Sequence, residues 1–286
     1  ELLALADDET RAGWEQLSLG YTESQGHPLL RQAIAALYPG LGADDVLVLA
    51  PEEGIFIAMN ALLEAGDQVV VTWPGYQSLY AVAEAIGCTV RRWLPHEETA
   101  WRYDLDDLAA LLTPTTRLLV VNFPHNPTGA LPTPDEWTRL QTLATERGVR
   151  LFSDEMYRFL EHRGPPLPSA CEGDERAVVL SGLSKAFGLP GLRLGWLATR
   201  DRRLLALLAA FKDYTTICNA APSEALALMA LRAREALLER SRAIVQGNLG
   251  LLGRFITAHA ELLSWAQPQG GSVALARLHC PDVERY

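Results

Sequence analysis

Cysteine is scarce in this chain, and its spacing carries no pattern. The 286 residues include four cysteines, and no two of them form a C-x-x-C pair. This spacing argues against a disulfide framework or a zinc site and is typical of reduced thiols in a cytosolic protein. We therefore predict a cytoplasmic protein with no metal bound to its cysteines, which are Cys88, Cys171, Cys218 and Cys280.

Long apolar runs and an excess of positive charge are also absent from the sequence. No apolar stretch approaches the roughly 20 residues that cross a bilayer. Residues 1–8 lack the basic flank and the cleavage site of a signal peptide. The formal net charge of -10 argues against a basic face for nucleic acid. We predict neither a membrane nor a nucleic-acid partner.

The sequence does contain an ordinary globular composition and a regular alternation of strand and helix patterns. Hydrophobic residues make up 49% of the chain and charged residues 21%, which suits one large domain, alone or with a partial second one. Short apolar runs predict strands at 46–50, 68–72, 89–94, 117–121, 149–153, 177–180 and 194–198. Amphipathic patterns predict helices at 28–38, 53–65, 76–86, 104–112 and 134–147.

The predicted strands indicate the fold class. They are apolar without alternation, so we expect both of their faces to be buried in a mostly parallel sheet between helices. From residue 201 onward helical patterns dominate, with a long helix predicted across 222–256 and a strand at 272–278. We predict an N-terminal segment (1–25), a large α/β domain (26–215) and the start of a smaller α+β domain (216–286).

A lysine and an arginine in the stretch 181–196 are the most informative pair of side chains. Lys185 follows a turn of small residues, and Arg193 comes eight residues later, after a loop rich in glycine and proline. A lysine whose surroundings exclude water can attack a carbonyl, and the planar fork of an arginine suits a phosphate. A ligand with an aldehyde and a phosphate, such as pyridoxal 5'-phosphate, would use both. The alternative for a single lysine is a solvated surface charge.

Two loops after predicted strands carry polar side chains that such a ligand needs, because ligands of parallel sheets bind at the carboxyl ends of the strands. Asp154 follows an apolar run, and a desolvated carboxylate there requires a cation such as a protonated pyridine nitrogen. Tyr157, one helical turn on, and Asn126 are candidates to hydrogen-bond a phenolic oxygen. Asn122 and His125 are weaker candidates. The alternatives are an acidic helix cap with a core tyrosine, and a turn chosen for its backbone shape.

Two further strand ends carry an aromatic ring and a pair of carboxylates. Tyr76 is expected to begin a helix, where its ring can stack on a flat ligand, although a packing tyrosine has the same signature. Glu52 and Glu53 stand at the start of a predicted helix whose free N–H groups suit a phosphate. The two carboxylates complicate an anion site, and their alternative role is to complement the helix dipole.

Together these residues resemble the fold type I pyridoxal-phosphate enzymes of the class I/II aminotransferase family. The resemblance runs from about Tyr21 to Gly271. Its motifs occur in the family's order, which is 21–26, the start of helix 53–65, Pro74-Gly75-Tyr76, Asn126-Pro127-Thr128-Gly129, Asp154 with Tyr157, and Ser184-Lys185 with Arg193. The resemblance implies the PLP-transferase fold, pyridoxal 5'-phosphate as cofactor, and transfer of an amino group between an L-amino acid and a 2-oxo acid.

The resemblance also implies how the cofactor ring would be held. Lys185 would form the Schiff base with the cofactor and then move the proton of the substrate as general base and acid. Asp154 would pair with the pyridine nitrogen. Asn126 and Tyr157 would bind the phenolic oxygen, and Tyr76 would stack on the ring.

For the cofactor phosphate, the resemblance implies Ser184 and Arg193 as ligands, with help from Glu52 and Glu53. Tyr21 would reach the phosphate of a neighbouring subunit's cofactor. That role implies a homodimer with shared active sites.

Three departures from the family pattern stand out. Glu52 and Glu53 occupy positions where small residues are usual. Gly182 replaces a phosphate-binding serine or threonine, for which Ser181 is a possible substitute. The arginine that binds the substrate carboxylate in this family is expected beyond Tyr286, outside the sequence given.

Two alternatives to amino transfer remain at this point. Lyases, cyclases and decarboxylases use the same constellation and differ on the substrate side. A regulator with an aminotransferase-like effector domain would need a DNA-binding helix-turn-helix, which the sequence does not show, and its negative charge argues against that reading.

Overall fold

The strands and helices of a computed structural model, which describes residues 2–279, form a layered α/β fold. The strands are β1 (Val46–Leu49), β2 (Gln68–Thr72), β3 (Thr89–Trp93), β4 (Pro95–His96), β5 (Arg102–Tyr103), β6 (Thr116–Asn122), β7 (Arg150–Asp154), β8 (Val178–Gly182), β9 (Gly195–Ala198), β10 (Leu263–Trp265) and β11 (Ala276–Leu278). The helices are α1 (Asp8–Glu15), α2 (Pro28–Ala35), α3 (Pro51–Leu62), α4 (Ser78–Ile86), α5 (Leu105–Leu111), α6 (Pro134–Glu146), α7 (Ala170–Gly173), α8 (Arg202–Lys212), α9 (Ala221–Arg232) and α10 (Arg234–Ala258).

Seven of the strands form the central sheet, in the order β1-β9-β8-β7-β6-β2-β3. Neighbours are parallel from β3 to β8, whereas β9 runs antiparallel to both β8 and β1. The parallel strands end at one edge of the sheet, which is where a ligand site is expected. This topology confirms the predicted mostly parallel α/β fold.

The apolar strands of the sheet are buried on both faces. In β6, Leu119 and Val121 pack into the hydrophobic cluster on one side, and Leu118 and Val120 pack into the cluster on the other. Full burial of such a side chain contributes about 1.5–3 kcal/mol relative to exposure. The continuous apolar runs in the sequence therefore report a sheet covered by helices on both faces.

Several predicted boundaries need correction. The helix predicted across 222–256 is two helices, α9 and α10, which meet at Ala233, where ψ turns to 18°. No proline or glycine marks this break, and it separates a largely buried helix from a largely exposed one. The strand predicted at 272–278 is confined to β11, which pairs with β10. Helix α4 begins at Ser78, not at Tyr76.

The terminal parts of the described chain pack beside the sheet domain. Helix α9 contacts both α1 and α2. The division of the chain at residues 25 and 215 stays a prediction. Within residues 2–279, no helix is long and apolar enough to cross a membrane.

Candidate active site

The carboxyl ends of β6 and β7 bring two predicted site loops together. Asn122, the last residue of β6, lies opposite Asp154 in the register of the sheet. Its side-chain amide donates to the Asp154 carbonyl oxygen at 3.1 Å, and its side-chain oxygen accepts the Asn126 N–H at 2.8 Å. Asn122 therefore ties the Asn126 loop to the Asp154 loop, a role that its place in a turn motif did not reveal.

Asp154 is buried, and its carboxylate has little compensation within the chain. Burial raises its pKa to about 7 from 3.8. The Met156 N–H, which donates to Oδ1 at 3.0 Å, and the charge of Lys185 act in the opposite direction. A buried carboxylate in this position favours a cation placed against it.

Tyr157 and Lys185 lie close to each other and near Asp154. The Lys185 Nζ lies 5.7 Å from the centroid of the Tyr157 ring. Tyr157 lies in a turn at 156–159, and Phe159 at the end of this turn has φ 77°. Burial raises the pKa of the Tyr157 hydroxyl, and a hydrogen bond with Ser272 lowers it. Ser272 is a site residue that the sequence patterns did not indicate.

The lysine content of the chain singles out Lys185. The sequence contains two lysines, Lys185 and Lys212. Lys212 is fully buried, and its Nζ donates to the carbonyl oxygen of Ser24. Lys185 is exposed at the end of β8. It is therefore the lysine that can react with a ligand entering from solvent.

Ser184 and Arg193 flank Lys185 in the loop that leads to β9. Ser184 is half-buried and Arg193 is exposed. Arg193 has φ 51°, and its guanidinium donates to the Pro190 carbonyl oxygen at 3.0 Å. Both side chains are thus accessible to an anion near Lys185.

The glycine at position 182 has a steric cause. A Cβ on Gly182 would lie 2.9 Å from the Gly195 Cα and 3.2 Å from the Pro51 Cγ. Strands β8 and β9 therefore leave no room for the serine or threonine that the family pattern has here. The neighbouring Ser181 is buried and donates its hydroxyl to the Glu155 carbonyl oxygen at 3.3 Å.

The two carboxylates at the start of α3 have different partners. The Tyr76 hydroxyl donates to Glu52 at 3.1 Å, and Ser78 also donates to the Glu52 carboxylate. Burial and this hydrogen bond raise the pKa of Tyr76, whose ring remains 47% exposed. Glu52 also raises the pKa of Asp154 through its charge. Glu52, Tyr76 and Asp154 thus belong to one site.

Glu53 makes contacts both with the 215–216 loop and at the start of α3. One of its carboxylate oxygens accepts hydrogen bonds from the Thr215 hydroxyl and, at 2.8 Å, from the Thr216 hydroxyl. The other accepts the Ala50 N–H at 3.4 Å. Glu53 therefore joins the start of α3 to the 215–216 loop.

His125 and Tyr103 connect the loops around the site by hydrogen bonds. The His125 Nε2 and the Tyr103 hydroxyl are 2.8 Å apart, and the His125 Nδ1 lies 2.7 Å from the Thr128 hydroxyl. The Tyr103 hydroxyl also contacts the Trp73 carbonyl oxygen at 3.2 Å. Burial lowers the pKa of His125 to about 4. His125 is therefore a neutral link between the Trp73 loop and the half-buried Asn126 loop.

Tyr21 stands apart from the residues above. Its side chain is 94% exposed. It lines a groove of about 510 Å³ between α1 and α9, and none of the other predicted site residues lines this groove. Within residues 2–279, no group of three or more His, Cys, Asp or Glu side chains is arranged to hold a metal ion.

A family model described as "Aminotransferase class I and II" matches residues 2–279. The chain belongs to this family. Among characterised relatives, capreomycidine synthase of Streptomyces vinaceus is 35% identical over 264 residues, which are 92% of this chain and 68% of that protein. Valine–pyruvate aminotransferase of Mycobacterium tuberculosis is 35% identical over 63% of this chain, which spans 48% of that relative.

Solved structures of the family have the same fold. A PLP-dependent aminotransferase from Streptococcus suis superposes with a TM-score of 0.91 and 30% identity, covering 98% of this chain and 75% of its own. The PLP-dependent cyclase OrfR superposes with a TM-score of 0.88 and 36% identity, covering 97% of this chain and 73% of its own. Family membership and fold confirm the resemblance inferred from the sequence, with pyridoxal 5'-phosphate as the cofactor.

The residues at the strand ends fit this cofactor. Asp154 is a buried carboxylate without a full positive partner, as a pyridinium nitrogen requires. Lys185 is an accessible amine, and Arg193, eight residues later, is an accessible guanidinium. Glu52 is the residue that fits least well, because it adds negative charge at a helix start where a phosphate is expected.

Proposed function

We propose that this protein transfers an amino group between an L-amino acid and a 2-oxo acid, with Lys185 as the residue that binds pyridoxal 5'-phosphate covalently. The observation that carries the proposal is the position of Lys185, the accessible one of two lysines, beside Tyr157 and near the buried carboxylate of Asp154. When bound, the cofactor supplies an electron sink for the bonds at the substrate Cα.

The side chains of the site divide the work of orienting the cofactor and moving a proton. Asp154 keeps a proton on the ring nitrogen by its negative charge. Asn126 and Tyr157 hydrogen-bond the ring oxygen, and Tyr76 covers one face of the ring. The Lys185 amine would take the proton from the substrate Cα.

The phosphate is proposed to bind Ser184 and Arg193. Glu52 and Glu53 border the same helix start, where the free N–H groups of α3 favour an anion. Of these two, Glu52 is the more exposed. The hydroxyl groups of Tyr76 and Ser78 donate hydrogen bonds to its carboxylate and stabilise its negative charge.

We further propose a homodimer in which Tyr21 of one subunit reaches the phosphate bound by the other, in a cytoplasmic location. The exposed fraction of Tyr21, 94%, and of Tyr214, 91%, supports a partner surface that covers them. Burial of an aromatic ring at such an interface is favourable because of its large apolar area.

A second candidate is a cyclase or lyase reaction on an amino acid. It is favoured by the similarity to capreomycidine synthase over 92% of this chain and to the cyclase OrfR over 97%. Because substrate-side residues direct the reaction, the shared cofactor site alone does not separate the two candidates.

The test is to give the holoenzyme single amino acids and follow the cofactor spectrum. Amino transfer converts the cofactor to its amine form, which absorbs in the near ultraviolet, and releases a 2-oxo acid. A cyclase or lyase returns the cofactor to its starting spectrum, and any 2-oxo acid that a lyase forms by elimination is accompanied by ammonia. If no amino acid changes the spectrum and none is consumed, both candidates are wrong.

A further inference from the structure

A short segment of the C-terminal region closes against the active site. Residues 267–273, named here the strap, cross the loop that contains Asn126. The N–H groups of Gln269 and Gly270 donate to the Gly129 carbonyl oxygen at 2.8 and 3.0 Å. A Cβ on Gly129 would lie 2.2 Å from the Pro268 Cβ, so the strap requires a glycine at this position.

The end of the strap lies on Tyr157. A Cβ on Gly271 would lie 3.4 Å from the Tyr157 ring, which is ordinary contact distance. The next residue, Ser272, is the hydrogen-bond partner that lowers the pKa of the Tyr157 hydroxyl against the effect of burial. The position of the strap therefore determines the contacts of the Tyr157 ring and of its hydroxyl.

His162 holds the strap with its backbone and with both nitrogens of its ring. Its N–H donates to the Gln269 carbonyl oxygen at 2.8 Å. Its Nδ1 lies 2.9 Å from the Pro268 carbonyl oxygen, and its Nε2 lies 2.8 Å from the Gly271 carbonyl oxygen. Three carbonyl groups of one short segment thus converge on a single residue.

The two ring contacts have a consequence for the charge of His162. A carbonyl oxygen can only accept a hydrogen bond, whereas a neutral imidazole has one N–H and one lone pair. Both contacts are hydrogen bonds only when both ring nitrogens carry a proton. In a neutral ring, one lone pair would face a carbonyl oxygen at hydrogen-bond distance and repel it.

We propose that His162, as an imidazolium ion, is a positioning residue that holds the strap against Tyr157 and so shapes the substrate side of the site. Hydrogen bonds from a charged donor are roughly twice as strong as neutral ones. The proposal concerns the chain itself, and only its kinetic readout rests on the proposed amino transfer.

The charged groups around the imidazole lie on three elements. Glu161 and Arg163 are its neighbours in the chain. Arg158, in the preceding turn, and Arg242, on α10, act on the charge of Glu161. The strap and residues 131–134, which line the same cavity of about 750 Å³, contain no charged residue. The polar atoms of the strap that contact the His162 ring are thus carbonyl oxygens.

The protonation state can be measured directly on the full chain with its cofactor. In protein labelled with ¹⁵N-histidine, His162→Gln identifies the signals of His162 among the six histidines. We expect two protonated ring nitrogens at neutral pH. A neutral ring, with one protonated and one bare nitrogen, would overturn the proposal.

The positioning role is tested by hydrogen exchange and kinetics. In His162→Gln we expect the Gly271 amide to exchange about tenfold faster or more, since a charged hydrogen bond is lost. The KM for the amino donor should rise, while borohydride still fixes the cofactor on Lys185. His162→Arg offers several donors and should restore much of the protection. The matched control is His259→Gln, because the His259 ring contacts the carbonyl oxygen and the ring of Phe255, in the last turn of α10.

The outcomes separate this proposal from the proposed function. Unchanged exchange in His162→Gln, or an equal effect in His259→Gln, contradicts the positioning role. If the protein transfers no amino group, the ring-nitrogen spectra and the exchange rates still decide on His162.

Discussion

Asn122 and Asp154 lie side by side at the ends of β6 and β7, and the Asn122 amide donates to the Asp154 carbonyl oxygen at 3.1 Å. The same side chain accepts the N–H of Asn126 at 2.8 Å. The side chain of Asn122 thus fixes the separation between Asn126, proposed to bind the ring oxygen, and Asp154, proposed to bind the ring nitrogen. We propose that Asn122 sets this distance and does not contact the reacting atoms.

Asn122→Ala is therefore expected to weaken cofactor binding without unfolding the protein. The change leaves the N–H of the half-buried Asn126 without its acceptor, and the loss of a partner costs up to about 1–3 kcal/mol for a fully buried donor. Part of this free energy now has to be supplied by the cofactor, because binding must hold the Asn126 loop in place without the Asn122 hydrogen bond. We therefore expect an increase in the cofactor Kd of about tenfold. Fluorescence titration with pyridoxal 5'-phosphate measures it. Asn60→Ala is the control, because the Asn60 amide donates within its own helix, and an equal effect there would contradict the prediction.

Asp154→Asn should change how the stability of the cofactor-free protein depends on pH. The pKa of Asp154 is about 7 in the folded chain and 3.8 without burial. The stability associated with this group is therefore complete below pH 3.8 and is lost as the pH rises to about 7. At about 1.4 kcal/mol for each pKa unit, the loss amounts to about 4 kcal/mol.

Urea unfolding at a series of pH values tests this prediction. The wild-type protein should lose stability between mildly acidic and neutral pH, and Asp154→Asn should be flatter over the same range. With cofactor added, the wild-type protein should be the more stable of the two at neutral pH, because the positive ring nitrogen then compensates the charge of the Asp154 carboxylate. Equal pH profiles for the two proteins would show that burial does not control the ionisation of Asp154.

The sequence was sufficient for the sheet and for the residues at the strand ends. Continuous apolar runs such as β6 have no other stable environment than a covered sheet. Asp154, the last residue of β7, is unusual because it places a carboxylate at the end of such a run. The break at Ala233 could not be predicted, because it arises from how α9 and α10 pack and not from a local signal. Ser272 and His162 were missed because their roles depend on contacts between residues more than 100 positions apart.

Lys185→Ala should abolish covalent capture of the cofactor. The chain has two lysines, and Lys212 is buried with its Nζ bound to the Ser24 carbonyl oxygen. After borohydride reduction, mass spectrometry of the wild-type protein should place the cofactor on the peptide that contains Lys185. The variant should carry no adduct and should keep its unfolding temperature, because Lys185 is exposed. An adduct on Lys212 in the wild-type protein would contradict the assignment.

Glu52→Gln should strengthen the binding of phosphate-bearing ligands. Glu52 brings a negative charge to the start of α3 and also raises the pKa of Asp154. Removing one charge of this kind near a surface is worth up to about 1 kcal/mol, or a few-fold in Kd. Calorimetry with inorganic phosphate and with the cofactor measures the effect. Glu84→Gln, on the exposed face of α4, is the control, and weaker binding in Glu52→Gln would mean that the carboxylate itself assists the ligand.

Gly182→Ser restores the residue type that the family pattern has before Lys185, and we expect it to damage the protein instead of improving phosphate binding. The new Cβ would lie 2.9 Å from the Gly195 Cα and 3.2 Å from the Leu194 carbonyl oxygen, and backbone atoms of paired strands cannot move aside cheaply. Overpacking of this kind typically costs about 1–3 kcal/mol. Denaturant unfolding should show that loss, with no gain in cofactor affinity. Ser184→Gly, at a half-buried position two residues on, should cost less stability but more affinity. A stable Gly182→Ser variant that binds cofactor more tightly would mean that β8 and β9 can separate enough to admit a hydroxyl, and that close strand packing is not what fixes glycine at this position.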